Sequence, residues 1–255
     1  MGLWAVLLLT YPEWFFGTYE HRALYPLDET RTDPTAGMTE VIVTAPDGTE
    51  LVTWQAAPRP GQPTLLYLPG NAGNLAARHV RFTEMMAEGF GIIALSWRGS
   101  GGSGGRASEE VLPADALMLF DSVCVQRCVI YGESLGAAVA IKIAAVRDVP
   151  AVALQSPFTS IDDLAKLQFP HDDLSPYITQ HWHSLKTVPA VTEPLLVFHG
   201  TDDKLVPIAQ GQAIVAAAGS ADKTLLTFEA RGHQSMWGPD LTAPLYAFFR
   251  AHGAD

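Results

Sequence analysis

From Thr64 onward the chain alternates short apolar runs with segments of helical periodicity. Leu65–Leu68, Phe90–Trp97, Cys128–Tyr131, Ala151–Gln155, Leu195–Phe198 and Thr224–Phe228 read as strands. Their residues are apolar in continuous runs rather than at every second position, the pattern of strands covered on both faces. Between them the spacing predicts helices over about Leu75–Glu88, Ser108–Asp121, Leu135–Val146, Ile208–Ala218 and Ala243–His252. Gly89 stops the first of these, and Ser108 suits the N-cap of the second, with Glu109 and Glu110 favourably placed on the helix dipole. Strand–helix units repeated in this way predict an α/β fold, a mostly parallel doubly wound sheet flanked by helices.

Two further strands, Val41–Thr44 and Leu51–Trp54, precede that series, and Pro46-Asp47-Gly48 between them has the chemistry of a hairpin turn. Residues 40–255 thus read as one domain. Residues 157–191 interrupt its rhythm: too long for a single crossover and rich in Asp, His, Pro and aromatics, they read as a small inserted cap. Residues 1–39 form a leader. Its Leu3–Leu9 run is strongly apolar but much shorter than the ~20 residues that span a bilayer, and it lacks a basic flank and a small-residue cleavage site. A helix lying on the domain or on a membrane surface, an anchor remnant and a misplaced start all fit it. Peripheral membrane contact through this run, or a cytoplasmic location, is favoured over secretion.

Composition narrows the function. Hydrophobic residues make up 48% of the 255 residues and charged ones 17%, which argues against disorder. The formal net charge of −11, without any run of Lys or Arg, disfavours nucleic acid as a partner and strongly anionic substrates. Cys124 and Cys128 read as two thiols packed near the core, with a short-range disulfide or metal site as the lesser alternative.

The strongest local signal is Gly132-Glu133-Ser134-Leu135-Gly136, directly after a strand and directly before a helix. A Ser on so tight a turn has strained backbone angles and an exposed hydroxyl, and the flanking small residues let strand and helix approach. A hydroxyl needs a base to become a nucleophile, and the base needs an acid to orient it. Two later loops, both at carboxyl ends of strands, supply candidates: His199-Gly-Thr-Asp-Asp-Lys-Leu-Val-Pro207 and Arg231-Gly-His-Gln234. His233 is the candidate base. Asp202 and Asp203 compete for the acid, with Asp203, three residues before Val206-Pro207, preferred. The oxyanion of an acyl transfer needs donors too; the amide of Leu135 is one, and the Pro69–Asn74 loop offers that of Asn71 as the second.

With these pieces in order, the chain resembles α/β hydrolases of the Bem46-like branch, similar to the abhydrolase-domain 13 and 17 proteins. The resemblance rests on 69–74, Trp-Arg-Gly-Ser-Gly-Gly-Ser (97–103), 131–136, Ser-Pro-Phe-Thr-Ser (156–160), 199–207 and Gly-His (232–233), and covers about residues 40 to 250. It implies the α/β-hydrolase fold, a Ser134–Asp203–His233 triad and oxyanion donors at Asn71 and Leu135. It further implies a serine esterase acting on a small-molecule ester or lipid-like substrate, with lysophospholipase, monoacylglycerol lipase and acyl-protein thioesterase as variants. One departure is Pro69-Gly70 in place of the usual His-Gly, which removes a side chain that braces the oxyanion loop. A scaffold that kept the fold without catalysis is the alternative of another class.

Three features are set aside. Gly99–Gly104 satisfies G-x-G-x-x-G, but the next helix begins too late for a dinucleotide site, and a tight loop with Arg98 in an internal ion pair is expected instead. His181-Trp182-His183 lacks a neighbouring carboxylate cluster for a metal. Phe158, Phe169, Tyr177 and Trp182 are candidates for packing the cap and for walls of a substrate pocket. The expected chemistry requires no metal or organic cofactor.

Overall fold

The computed structural model describes residues 12–124 and 128–253, so the apolar Leu3–Leu9 run lies outside the described residues. Eight strands, β1 (Thr39–Thr44), β2 (Glu50–Ala56), β3 (Thr64–Leu68), β4 (Gly91–Leu95), β5 (Cys128–Glu133), β6 (Val152–Gln155), β7 (Leu195–Gly200) and β8 (Lys223–Phe228), form one sheet. Their order is β1-β2-β4-β3-β5-β6-β7-β8. The β1–β2 and β2–β4 pairs are antiparallel and all later pairs parallel. This is the doubly wound sheet of an α/β-hydrolase fold.

The continuous apolar runs feed two cores. Leu66 and Leu68 of β3 point into one, Leu65 and Tyr67 into the other, as successive strand residues must. The first core is closed by α3 (Val111–Leu119), α4 (Leu135–Ala144) and α7 (Ile208–Ala217), the second by α2 (His79–Ala87) and α8 (Pro239–Gly253). Each fully buried Leu, Val or Phe contributes roughly 2 kcal/mol, so both faces hold the sheet. Register then decides the site: Leu68 lies opposite Gly132, Glu133 opposite Gln155, and Gln155 opposite Phe198. The carboxyl ends of β3, β5, β6 and β7 therefore share one edge.

Residues 157–191 carry α5 (Ile161–Gln168), α6 (Ser184–Thr187) and short 3-10 turns. Ser160 caps α5 by accepting from the Asp163 amide at 3.0 Å. The leader contributes α1 (Pro12–Leu24), pinned to this insertion. The Glu20 carboxylate accepts from the Thr179 amide at 2.8 Å and the Gln180 amide at 3.0 Å. The Tyr25 hydroxyl donates to Gln180 at 2.5 Å and accepts from the Trp182 indole at 3.1 Å. No helix among the described residues is long and apolar enough to cross a membrane.

Several expectations change. Cys124 and Cys128, at the end of a π-turn over Phe120–Cys124 and the start of β5, are joined as a disulfide rather than held as thiols, their Cα atoms 5.1 Å apart. Helix α3 begins at Val111, although Ser108 still accepts from the Val111 amide at 3.2 Å. Helix α8 starts at Pro239, earlier than the expected Ala243, since the Gly238 carbonyl takes up the Leu241 and Thr242 amides. Arg98 behaves as expected: it grips Asp115 through Nε and Nη2 at 2.6 and 2.7 Å and reaches Asp47 at 2.6 Å, tying the Gly-rich loop to α3.

Candidate active site

Ser134 stands between β5 and α4 with φ 50° and ψ −108°, a region that costs a non-glycine residue strain. The crowding around it explains the glycines. A Cβ on Gly132 would run into the Gly136 backbone, and one on Gly136 into the Leu68 carbonyl. Leu135 opens α4, so its amide has no carbonyl one turn earlier to bond. The Pro69–Asn74 loop lies alongside: a Cβ built on Gly70 would sit 3.8 Å from that of Ser134.

The structure brings Ser134, Asp203 and His233 together from three loops. His233 Nε2 is 3.1 Å from Ser134 Oγ, and its Nδ1 is 2.7 Å from Asp203 Oδ2. The other Asp203 oxygen accepts from the Leu205 and Val206 amides at 3.1 and 2.8 Å. Burial alone would raise the Asp203 pKa; the His233 contact, the Val206 amide and the neighbouring imidazoles outweigh it and hold the carboxyl below its ordinary value. Asp202, by contrast, is exposed and pairs with Lys204 at 2.6 Å. His199, fully buried, stands 3.7 Å from Asp203 and is within 2.7 Å of the Val206 carbonyl through Nε2, backing the acid loop from inside. Burial pushes its imidazole pKa down.

The brace expected to be missing before Asn71 is supplied elsewhere. Arg78, on the 3-10 turn after the loop, donates to the Ala72 and Asn74 carbonyls at 2.8 and 3.1 Å. The Trp97 indole donates to Pro69 O at 3.1 Å, and the Asn71 side chain to Leu24 O at 2.7 Å. The sequence offered the spacing of Arg78 but no sign of its target.

Two cavities meet at Ser134. One, of about 390 Å³, is apolar: α1 contributes Ala23 and Leu24, α5 Ile161 and Leu164, and Phe158, Phe169 and Tyr177 complete its walls. Trp182, also expected there, is not part of it. Its ring is fully buried, held by Tyr25 and covered by the Lys142 ammonium 4.8 Å from its centroid, so it packs the cap rather than lining the pocket. The second cavity, of about 570 Å³, is of mixed lining but the more polar of the two, and includes His233, Gln234, Arg78, Arg81 and Glu133. Glu133 is buried in contact with Arg81 and the Tyr67 hydroxyl, and lies 3.5 Å from Arg78.

His181 and His183 stack 5.1 Å apart, and α5 brings Asp162 to 3.0 Å from His181, a carboxylate the sequence spacing concealed. One ligand atom from each of Asp162, His181 and His183 lies within 4.8 Å of the others, so the carboxylate that the sequence pattern lacked is present in the structure.

The chain is similar to known proteins. A family model described as serine aminopeptidase, S33, matches residues 178–240. An uncharacterized protein of Mycobacterium tuberculosis is 34% identical over 187 residues, 70% of this chain and 66% of that protein. Protein bem46 of Schizosaccharomyces pombe is 32% identical, over 68% of this chain and 62% of its own length. The lysophosphatidylserine lipase ABHD12 of Xenopus tropicalis is 29% identical, over 68% of this chain and 51% of its own. The chain thus spans half to two thirds of the length of these relatives. Among solved structures, an esterase of Pyrococcus furiosus superposes with a TM-score of 0.73 at 19% identity, covering 90% of this chain and 100% of that one.

Proposed function

The chain belongs to the α/β-hydrolase superfamily, in the Bem46-like branch, and from that premise we propose that it is a serine hydrolase cleaving carboxylic esters through an acyl-enzyme. The observation that carries the proposal is the continuous relay from Ser134 Oγ through both His233 nitrogens to buried Asp203, at 3.1 and 2.7 Å. His233 removes the Ser134 proton as Oγ attacks the acyl carbon. The amides of Leu135 and Asn71 receive the tetrahedral oxyanion, each contributing roughly 3 kcal/mol. His233 then protonates the departing alcohol, and water repeats the sequence to release the acid.

The apolar cavity of about 390 Å³ favours a lipid-like acyl chain over acetate, in keeping with the lipase named among the relatives. A thioester fits the same geometry. The test is Ser134→Ala: it is expected to keep the fold, by circular dichroism and thermal unfolding, while losing p-nitrophenyl ester turnover and fluorophosphonate labelling. Hydrolysis retained in that variant would overturn the assignment, and a wild-type protein that neither labels nor turns over would instead be a scaffold.

A further inference from the structure

The cap gathers a second set of chemistry-bearing side chains, none of which lines either cavity at Ser134. Asp162 in the first turn of α5 meets His181 and His183 from the far end of residues 157–191, the three offering ligand atoms within 4.8 Å of one another. Backbone contacts fix that meeting. The Ile161 amide donates to the His181 carbonyl at 2.8 Å and the Leu185 amide to the Thr159 carbonyl at 3.0 Å, so the two stretches lie side by side. Between the histidines stands Trp182, fully buried and with φ 48°, a left-handed conformation that a bulky residue adopts only under constraint. Tyr25 and Lys142 supply that constraint from the core side. The two imidazoles are left on a common face, 5.1 Å apart and within 9° of parallel.

The donor set defines the ligand. Two imidazoles and a carboxylate suit a borderline first-row dication, Zn²⁺ above all, whereas Mg²⁺ and Ca²⁺ take oxygen donors. Two ligands bound to one zinc ion at a tetrahedral angle stand about 3.3 Å apart. His181 Nδ1 is 3.1 and 3.0 Å from the two Asp162 oxygens, close to that spacing. All three side chains are half-buried, so His183 can swing in by the remaining distance, about 1.5 Å at most. The proton held between His181 Nδ1 and the carboxylate is the one a dication displaces, since metal ligands bind unprotonated. Asp163 adds a second negative charge: burial would raise its pKa, but Thr159, Ser160 and the charges of Lys166 and His183 outweigh it. A simple Asp162–His181 pair would account for those two residues, but not for His183 or for the strained turn at Trp182 that brings it alongside.

We propose that Asp162, His181 and His183 form a transition-metal site that clasps the cap, with Zn²⁺ as the fitting ion and water completing its shell. The span the ion closes, residues 163–180, carries Leu164, Phe169, Leu174 and Tyr177 of the apolar cavity wall. Bound metal therefore ties together the two ends of that wall without touching Ser134, and does so whether or not Ser134 is a nucleophile. His181-Trp182-His183, set aside for want of a carboxylate in the sequence, gains one from α5.

The experiment titrates Zn²⁺ into the full chain, stripped of metal with EDTA, by isothermal titration calorimetry. The wild type is expected to bind one ion per chain with a Kd of about 10 µM or tighter, and millimolar Mg²⁺ or Ca²⁺ not to compete. His183→Ala and Asp162→Asn are each expected to weaken binding at least about tenfold. Circular dichroism without metal checks that both variants fold; should Asp162→Asn unsettle α5, His183→Ala alone decides. His233→Ala removes the triad imidazole as a rival ligand and is expected to bind as the wild type does. Limited proteolysis reads the clasp: saturating Zn²⁺ is expected to slow cleavage within residues 163–180 at least about fivefold in the wild type and to leave His183→Ala unprotected. Binding weaker than about 10 µM, or an affinity that His183→Ala leaves unchanged, overturns the site. Tight binding through these residues without protection of 163–180 overturns the clasp.

Discussion

Asp203→Asn replaces one carboxylate oxygen by an amino group and leaves the volume of the site almost unchanged. The surroundings dictate how the new amide sits. One oxygen of Asp203 accepts from the Leu205 and Val206 amides, so the Asn oxygen must occupy that place. The amino group is left facing His233 Nδ1, where the carboxylate now accepts at 2.7 Å. Two donors cannot share that contact. The imidazole responds by carrying its proton on Nε2 instead, pointing N–H at the Ser134 hydroxyl it should deprotonate. A tautomer reversed in this way costs about 10⁴ in kcat in comparable triads, or about 5 kcal/mol of transition-state stabilisation. The assay is hydrolysis of a medium-chain p-nitrophenyl ester by wild type and variant, with thermal unfolding as the control for folding. A loss of less than about tenfold in kcat with the fold intact would refute the assignment of Asp203 as the orienting acid.

Other consequences follow from the same geometry. Gly136→Ala drives a methyl group into the Leu68 carbonyl, backbone that has no rotamer to yield, and is expected to cost about 3 kcal/mol or more, lowering Tm by about 8 °C; an unchanged melting curve would refute that contact. Leu164→Trp fills part of the apolar cavity, so kcat/KM for esters long enough to reach it is expected to fall roughly fourfold per excluded methylene while short esters are spared; a uniform loss across chain lengths would contradict the cavity as the acyl site. The Asp203 pKa is lowered on folding, so the unfolded chain binds the extra proton as pH falls. Its contribution to stability is therefore present above the ordinary carboxylate pKa of about 4 and lost through the lower folded value. Urea midpoints between neutral and acid pH are expected to fall less steeply in Asp203→Asn than in wild type, and identical slopes would count against the shift.

What could be read from the chain alone was whatever local geometry dictates. Gly132 and Gly136 around Ser134 announce a turn that only small residues permit, and the loops holding Asp203 and His233 each follow an apolar strand, although β7 is buried and β8, expected to be buried, is a half-exposed edge strand. The doubly wound sheet was legible for the same reason, because strands covered on both faces leave an unbroken apolar record. What escaped depends on partners distant along the chain. Trp182 looked like a pocket aromatic, and only its contacts with Tyr25 and Lys142 make it core. Asp162 meets His181 from the far side of the cap. Arg81 carries no motif, and its placement comes from Glu133 and Trp237, which reach it from other elements. The cysteines had a spacing that fits thiols and a disulfide alike, and only their 5.1 Å Cα separation decides between them.

The docking of α1 onto the cap has a consequence for the order in which the molecule assembles. Ala23 and Leu24 close the apolar cavity, yet Gln180 and Trp182, which hold the adjoining Tyr25, lie 155 and 157 positions beyond that tyrosine. During synthesis α1 must wait without these partners until residue 182 has been made, and a lone segment of that length is marginal in water. Enclosure of the apolar cavity thus depends on residues that follow β1–β6 along the chain and precede β7 and β8.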